Sequence, residues 1–332
     1  MPAKRIVITG ASSGIGQATA LRFAADGANI VIAARGVPAL EEVARQCREA
    51  GGTAIVVPTD VTDAGAVQTL AERASAQLGQ IDLWFSNVGV GAVGLFHETP
   101  IEAHVRIIEA NLIGHINDAH AALPIFLNQG YGIFVNMISL GGFAAAPYAT
   151  AYSASKFGLR GFAEALRAEL ADYTDIHICD VYPSFVDTPG LSHGANYVGK
   201  KVTAPPPLVD PRRVAEAVYR LADHPQATTM VGASTAAVRM GHFLAPNLSA
   251  RAIDIGLKRY FETAEQVPVS DGNLFAPPSD PGGIDGGMGS PAARKAGIGL
   301  AAAAAVVAAA GIGAWLLRGS RQSSEPSEND DA

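Results

Sequence analysis

A tyrosine and a lysine near the middle of the chain are the first candidates for acid–base chemistry. In the stretch YSASK, Tyr152 and Lys156 stand at positions i and i+4 of a predicted helix, so their side chains share one face. A free phenol titrates at about pH 10, and a neighbouring ammonium favours the phenolate, so Lys156 is expected to lower the pKa of Tyr152. Such a phenol can give a proton to a carbonyl oxygen or take one from an alcohol. Alone, however, the pair is also typical of a solvated helix face.

The stretch TGASSGIG, residues 9–16, is a second candidate, because it joins a β-branched strand pattern to a helix pattern. Its middle fits G-x-S-x-G, the nucleophile elbow of hydrolases. Its three glycines also fit a phosphate cradle, in which backbone N–H groups at a helix N-terminus face an anion. An elbow needs a later acid and histidine, and none of the eight histidines stands in an evident triad context, so the cradle is favoured. The cradle assigns phosphate contacts to Gly10, Ser12, Ser13, Gly14, Ile15 and Gly16.

Alternating strand and helix patterns must position these two groups. The strands, from RIVIT at residues 5–9 to DIHICDVYP at residues 175–183, are apolar almost throughout, which is typical of a parallel sheet covered on both faces. Right-handed crossovers make the sheet doubly wound, so the sequence predicts a Rossmann-type α/β fold with three α/β/α layers. A strand at TTMVG completes the sheet. The predicted helices span about residues 14–25, 38–50, 63–78, 100–123, 152–173 and 211–222, with two more between 236 and 263.

Further motifs accompany these two groups. They are Asp60 after the third strand, SNVG at residues 86–89, Asn111, Ser139 and YPSFVDT at residues 182–188. Together with TGASSGIG and YSASK, they resemble the short-chain dehydrogenase/reductase family over about residues 4–235, with Ser139 and Tyr152 13 residues apart as that family expects. Two departures leave the catalytic groups in place: the chain has SNVG where the family usually has NNAG, and Pro183-Ser184 where it usually has Pro-Gly.

The resemblance implies an oxidoreductase that uses NAD(P). Tyr152 would exchange a proton with the substrate, Lys156 would hydrogen-bond the nicotinamide ribose, and Ser139 would hold the substrate oxygen. Asn111 would anchor a water that relays protons from Lys156. The resemblance also implies pairing into a homodimer or homotetramer through the helices at 100–123 and 152–173. Further cofactor contacts would come from Asp60, Val61, Asn87, Gly89, Pro183, Val186 and Thr188.

The residues after the second strand predict the choice of cofactor. NAD enzymes usually place a carboxylate there for the ribose 2′-hydroxyl, but this chain has Ala34 followed by Arg35, whose guanidinium suits a 2′-phosphate. We therefore expect NADP(H) and reduction of a carbonyl. An NAD-dependent alcohol dehydrogenase is one alternative. A non-catalytic NADP-binding scaffold or sensor is another, although relatives of that kind typically lack the tyrosine or the lysine.

The substrate pocket is expected to be apolar. The long irregular insertion at residues 187–210, with His193, Tyr197 and Pro205–Pro207, is typical of a lid. An apolar pocket beside a membrane anchor predicts a lipophilic ketone or alcohol of the steroid, retinoid, fatty-acyl or terpenoid kind. The predicted pocket residues are Leu140, Phe143, Tyr148, Phe185 and Leu191.

The composition changes after the catalytic domain, which is predicted at residues 1–263. Residues 264–295 are rich in Pro, Gly, Asp and Ser and are expected to form a flexible linker. Residues 296–317 form 22 positions without a charge, or roughly 33 Å of helix at about 1.5 Å per residue, which predicts a transmembrane helix. Because Ala and Gly dominate this stretch, an alanine-rich tail that is soluble or helical only on a partner stays open. Residues 318–332 are expected to be a disordered polar tail.

Whole-chain composition excludes several function classes. The net charge of −7 argues against a nucleic-acid partner, and two cysteines are too few for a disulfide framework or a zinc site, so no metal is expected. We expect no secretory signal before the first strand, since no apolar run precedes it in this sequence. We therefore expect a cytoplasmic catalytic domain held at a membrane by residues 296–317, with a soluble cytoplasmic protein as the alternative.

Overall fold

The computed structural model describes residues 3–205, 207–280 and 282–288. In chain order its strands are β1 (Arg5–Thr9), β2 (Asn29–Ala34), β3 (Thr53–Pro58), β4 (Leu83–Ser86), β5 (Ala92–Val93), β6 (Gly132–Met137), β7 (Ile176–Pro183), β8 (Ala195–Asn196) and β9 (Thr228–Val231). Its α-helices are α1 (Gly14–Ala24), α2 (Val37–Glu49), α3 (Ala64–Leu78), α4 (Ile101–Ile108), α5 (Gly114–Gln129), α6 (Thr150–Glu169), α7 (Pro211–Leu221), α8 (Ala233–Leu244) and α9 (Pro246–Thr263).

The main sheet is parallel and has seven strands in the order β3-β2-β1-β4-β6-β7-β9. The order reverses between β1 and β4, so the loops after these two strands diverge and leave a crevice at the carboxyl edge of the sheet. Ligands of doubly wound folds bind in that crevice. The predicted Rossmann-type parallel sheet is confirmed.

Both faces of the sheet are buried, as the nearly continuous apolar strands require. Successive side chains of a strand leave opposite faces, so Ile6 and Ile8 share one buried cluster with Phe23 of α1. Val7 instead shares a cluster with Phe126 of α5 on the other face. The core therefore lies in two layers, one on each side of β1.

The helix predicted at 100–123 is interrupted. A π-helical turn, Glu109–Ile113, joins α4 to α5, and α5 continues to Gln129. A π-helical turn adds a residue to the helical repeat and often occurs at a functional site. Here it contains Asn111, one of the predicted catalytic residues.

The stretch expected to be a flexible linker packs against the catalytic domain over its described residues. Bridges join Lys200 to Gln266 and Asn196 to Ser270, and β8 itself pairs with β5. Leu274 is fully buried in a cluster that also contains Val90. The expectation was wrong for this stretch because composition reports local preference only, whereas these contacts come from distant parts of the chain.

The predicted transmembrane helix at residues 296–317 and the polar tail at residues 318–332 lie outside the described residues. Among the helices that the structure does describe, none is long and apolar enough to cross a membrane. Cys47 and Cys179 are both buried and free.

Candidate active site

The predicted catalytic side chains meet just beyond the carboxyl end of β6. The 3₁₀ turn Leu140–Gly142 follows Ser139 and leads toward α6, which contains Tyr152 and Lys156. A Cβ placed on Gly141 would lie 3.1 Å from Cε1 of Tyr152 and 3.7 Å from Oγ of Ser139, so the two side chains converge over this glycine. The Nζ of Lys156 lies 5.8 Å from the centre of the Tyr152 ring. Tyr152, Ser139 and Lys156 thus form one group, with Gly141 as a wall that the motifs did not indicate.

Ser139 holds a strained backbone conformation. Its φ is 147° and its ψ is 164°, a region that is essentially restricted to glycine. The N–H of Gly141 donates to the Ser139 hydroxyl oxygen at 3.1 Å, which fixes the side chain over the turn. Such strain persists only where the surroundings impose it, and it is concentrated at functional sites.

The electrostatics of the pair differ from the expectation that Lys156 lowers the pKa of Tyr152. Burial raises the pKa of Tyr152, opposed by a hydrogen bond with Ser139. Lys156 is only 2% exposed, its Nζ donates to the Met137 carbonyl at 3.0 Å, and burial lowers its own pKa to about 7. Burial therefore dominates both groups, and Tyr152 is held as a protonated phenol, the form that can donate to a carbonyl oxygen.

Asn111 supports the site from the π-helical turn. Its Oδ1 accepts from the N–H of Val90 at 2.8 Å, and its Nδ2 donates to the Val90 carbonyl at 2.8 Å and to Ser155 Oγ at 3.2 Å. These bonds fix the loop after β4, and a Cβ on Gly89 of that loop would lie 3.9 Å from Nζ of Lys156. The water relay through Asn111 stays a prediction.

The glycine turn is closed so tightly that only glycine fits at its centre. A Cβ on Gly16 would lie 2.1 Å from the carbonyl oxygen of Gly10, and Gly10 itself has a φ of 66°. Asn87 Nδ2 donates to the Gly10 carbonyl at 3.1 Å, which ties the turn to the loop after β4. Ser13 precedes α1 without a capping side-chain hydrogen bond, and the first turn of the helix holds no acidic residue. The turn thus fits the phosphates of a dinucleotide.

Thr188 and its neighbours face the glycine turn across the crevice. A Cβ on Gly14 would lie 3.2 Å from Cβ of Thr188. Val186 pairs with Val209 in an isolated bridge, and Pro183 ends β7. The segment from Pro183 to Thr188 therefore forms the wall opposite α1, where the resemblance expects the nicotinamide.

Asp60 and Arg106 form an ion pair at the carboxyl end of β3. Arg106 donates to Oδ2 of Asp60 at 2.6 Å and to Thr62 Oγ1 at 2.7 Å. Burial acts to raise the pKa of Asp60, but hydrogen bonds from Arg106 and Thr62 outweigh it and lower the pKa. Val61 is buried beside Gly114. Sequence reasoning missed Arg106, because nothing local indicates that α4 reaches β3.

Arg35 lies at the predicted adenosine end of the crevice, but its guanidinium bonds to this chain. It donates to the carbonyl oxygen of Asn273 at 2.6 Å and to that of Leu274 at 3.1 Å. A 2′-phosphate bound there would compete with these two carbonyl oxygens for the guanidinium. Contact with the 2′-phosphate stays a prediction.

Phe143 does not line an open pocket as predicted. It is buried in a cluster with Leu159, and its ring stacks on Tyr182 with 4.4 Å between centroids. This stacking stabilises the turn after β6, and Phe143 is only 6% exposed, so little of its ring is open to a substrate. Leu140, by contrast, is only half-buried.

The other predicted pocket residues lie nearer the surface. Phe185 is 44% exposed and Leu191 is half-buried. Tyr148 packs edge-on against Phe261 of α9, with 5.1 Å between ring centroids. These side chains belong to segments around the mouth of the crevice, so their role toward a substrate stays a prediction.

The predicted lid is fastened at two points. The N–H of Tyr197 donates to the carbonyl of Val93 at 2.8 Å, and its hydroxyl donates to Oδ1 of Asp271 at 2.7 Å. The carbonyl of His193 accepts from the N–H of Asn273 at 2.8 Å. Within the predicted range 205–207, residue 206 lies outside the described residues. The lid thus contacts the C-terminal segment directly.

A buried polar network beneath the glycine turn was not predicted. Oδ2 of Asp118 accepts from Thr9 Oγ1 at 2.7 Å and from Ser86 Oγ at 2.6 Å, and burial raises the pKa of Asp118 to about 7. The nearby His115 bonds to Asn136 and to a backbone carbonyl. Burial, and then the charge of Lys156, lower the pKa of His115 to about 4. Ser86, where the family usually has asparagine, therefore donates to a buried carboxyl and helps to hold β4 against α5.

Comparisons with known proteins place the chain in a family. A family model described as short chain dehydrogenase matches residues 4–195. The uncharacterized oxidoreductase YxnA of Bacillus subtilis is 33% identical over 252 residues, which cover 75% of this chain and 71% of that protein. Dehydrogenase/reductase SDR family member 7 of Mus musculus is 34% identical over 54% of this chain and 55% of its own length. An alcohol dehydrogenase from the archaeon Thermococcus sibiricus, complexed with 5-hydroxy-NADP, superposes with a TM-score of 0.60 at 27% identity, covering 69% of this chain and 95% of that one.

Proposed function

The chain belongs to the short chain dehydrogenase family and is an oxidoreductase, and from that premise we propose that it reduces the carbonyl group of a lipophilic small molecule with NADP(H). The observation that best supports this proposal is the convergence of Ser139, Tyr152 and Lys156 in one buried group. The Tyr152 phenol carries its proton at neutral pH, because burial keeps its pKa above the ordinary value of about 10, and carbonyl reduction requires that proton.

The residues of the site have separate tasks in this reaction. The hydroxyls of Ser139 and Tyr152 hold the carbonyl oxygen, and Oη of Tyr152 gives that oxygen its proton. When bound, NADP(H) supplies the hydride to the carbonyl carbon, or accepts it in the reverse direction. The Nζ of Lys156, whose pKa of about 7 lies near physiological pH, can take up or release a proton beside the phenol.

The proposed preference for NADP(H) depends on Arg35. No carboxylate stands at Ala34, where NAD enzymes usually place one, and a guanidinium suits a 2′-phosphate. The similar archaeal alcohol dehydrogenase was solved with an NADP analogue, which supports the same choice. The tight glycine turn would seat the two bridging phosphates.

The proposed lipophilic substrate is supported by exposed apolar side chains on the consecutive helices α8 and α9. Phe243 is 81% exposed, and Met240, Leu244 and Leu248 are also exposed. The guanidinium of Arg239, on α8, lies 4.9 Å from the ring centre of Phe143 after β6, so α8 stands beside the site. Attachment of residues 296–317 to a membrane would bring this surface close to lipid and stays a proposal.

A homodimer or homotetramer is also part of the proposal. Large apolar side chains are exposed on the helices that the resemblance assigns to pairing, namely Ile101, Val105, Ile113 and Phe157. A second copy would cover them, which removes apolar surface from water.

The test is to follow the oxidation of NADPH and NADH by the full chain with a panel of carbonyl compounds. The panel contains steroid, retinoid, fatty-acyl and terpenoid ketones or aldehydes, with small hydrophilic carbonyls as the contrast. We expect turnover of apolar members with a preference for NADPH that Arg35→Ser removes and that Arg45→Ser, at an exposed arginine of α2, retains. Turnover of small hydrophilic carbonyls alone would rule out the lipophilic substrate, and equal use of NADH would rule out the cofactor assignment.

A further inference from the structure

The C-terminal part of the described chain runs along the crevice where a dinucleotide is expected. We call the described residues 271–280 and 282–288 the fold-back segment. It passes the ends of β2 and β3 first, where it contacts Arg35. It then passes the glycine turn, where it contacts Gly14, and finally the loop after β7, where it contacts Asp187. This path follows the order of adenosine, phosphates and nicotinamide that the site residues predict.

At the adenosine end, a backbone carbonyl group of the fold-back segment accepts hydrogen bonds from two arginines. The Leu274 carbonyl accepts from Arg35 at 3.1 Å and from Nε of Arg106 at 3.1 Å. The Leu274 side chain is 0% exposed and shares a buried cluster with Val90 and Ile107. Leu274 is therefore held at both ends: its side chain is buried in an apolar cluster, and its carbonyl oxygen accepts hydrogen bonds from Arg35 and Arg106.

At the phosphate end, the segment uses the first N–H group of α1. The N–H of Gly14 donates to the carbonyl oxygen of Gly283 at 2.8 Å. A carbonyl oxygen at a helix N-terminus lies where a phosphate oxygen would lie, and its partial negative charge interacts with the same N–H groups and helix dipole. Both groups cannot occupy that N–H at once.

At the nicotinamide end, the segment bonds to the loop after β7. The N–H of Gly286 donates to the Asp187 carbonyl at 3.0 Å, and the N–H of Met288 donates to Asp187 Oδ1 at 2.9 Å. A Cβ on Gly286 would lie 2.4 Å from the carbonyl oxygen of Thr188, so this backbone lies directly on the predicted carboxamide contact.

An ion pair outside the crevice fastens the segment. Both terminal nitrogens of Arg212, at the start of α7, donate to the carboxylate of Asp285 at 2.9 Å. Neither side chain belongs to the catalytic group or to the cradle. Substitutions of this pair can therefore loosen the segment without changing a residue that contacts the nucleotide.

We propose that the fold-back segment is a second ligand of the nucleotide crevice, and that NADP(H) binds only after displacing it. This inference rests on the proposed function, because it takes NADP(H) as the competing ligand. The apparent dissociation constant then equals the intrinsic one divided by the fraction of molecules whose segment is released. A change that releases the segment should tighten nucleotide binding without a new contact.

The test measures NADPH affinity in the full chain by fluorescence titration for the wild type, Leu274→Asp, Arg212→Glu, Asp285→Arg and the double variant with both charge reversals. Placing a charge on the buried Leu274 should tighten binding on the order of 10-fold or more, because it releases the segment. Each single charge reversal should tighten binding about 3-fold, since an exposed ion pair contributes little. The double variant should move back toward the wild-type affinity, although Arg212 also pairs with Asp210 in the wild type. The restored pair controls for unfolding caused by any single change.

Hydrogen exchange supplies a readout that does not depend on turnover. Adding NADPH to the wild type should speed amide exchange in residues 271–280 and 282–288, because the nucleotide expels them from the crevice. Unchanged or weaker affinity in the release variants, or slower exchange of the segment with NADPH, would overturn the inference while leaving turnover and the proposed function intact. Absence of nucleotide binding in a variant whose segment exchanges freely would overturn both.

Discussion

The protonation of Asp118 gives the structure a pH-dependent stability that one substitution should remove. The carboxyl is 0% exposed on α5, where Thr9 and Ser86 donate to it, and its pKa is raised to about 7. An unfolded aspartate titrates at about pH 3.9, and each unit of difference corresponds to about 1.4 kcal/mol, so this group alone is associated with about 4 kcal/mol. Between about pH 4 and about pH 7 the unfolded chain ionises this carboxyl while the folded chain keeps it protonated. The free energy of unfolding therefore falls as pH rises through that interval and levels off above it.

Asp118→Asn cannot ionise, so its stability should lack this contribution. We expect the wild type to lose about 4 kcal/mol relative to Asp118→Asn between pH 4 and pH 8. Urea unfolding followed by circular dichroism, at one-unit steps of pH, measures the difference directly. Asp172→Asn, in an exposed turn, is the matched control and should follow the wild type at every pH. A constant gap between Asp118→Asn and the wild type across the range would refute a buried neutral carboxyl.

Two other substitutions test the supports of the site. Gly16→Ala should destabilise the fold by about 2 kcal/mol and weaken NADPH binding about tenfold or more, because its Cβ would lie 2.1 Å from the Gly10 carbonyl oxygen. The control is Gly161→Ala on α6, where a Cβ would meet no atom within 4 Å, and this variant should raise the melting temperature. Asn111→Ala should lower the free energy of unfolding by about 2–3 kcal/mol, since it leaves the N–H and carbonyl of the buried Val90 without their partners. A melting temperature for Gly16→Ala equal to the wild type, or a change under about 0.5 kcal/mol for Asn111→Ala, would contradict these contacts.

The fold could be predicted because its signals are local. Apolar runs such as RIVIT, alternating with amphipathic helices, are sufficient to indicate a covered parallel sheet, and the sheet forms as expected. The spacing of Tyr152 and Lys156 likewise places both on one helix face. The motifs also predicted that Ser139 lies near Tyr152 and Lys156, because the carboxyl ends of parallel strands lie at one edge of the sheet.

The features that escaped prediction depend on contacts between distant residues. Arg35 bonds to Asn273, 238 positions away, and no periodicity in the Pro- and Gly-rich stretch indicates that it packs. The raised pKa of Tyr152 follows from burial, which spacing along a helix does not report. The network around Asp118 joins three elements, each of which gives an ordinary pattern by itself.

The most direct test of the central claim compares the full chain with Tyr152→Phe, using NADPH-linked turnover of an accepted carbonyl and NADPH affinity in the same preparations. Tyr131→Phe, which removes a phenol at the opposite edge of the sheet, is the control. If Tyr152 gives the carbonyl oxygen its proton, turnover should fall on the order of 10³-fold in Tyr152→Phe while NADPH affinity changes little. Turnover by Tyr152→Phe within a few-fold of the wild type and of Tyr131→Phe would contradict the account.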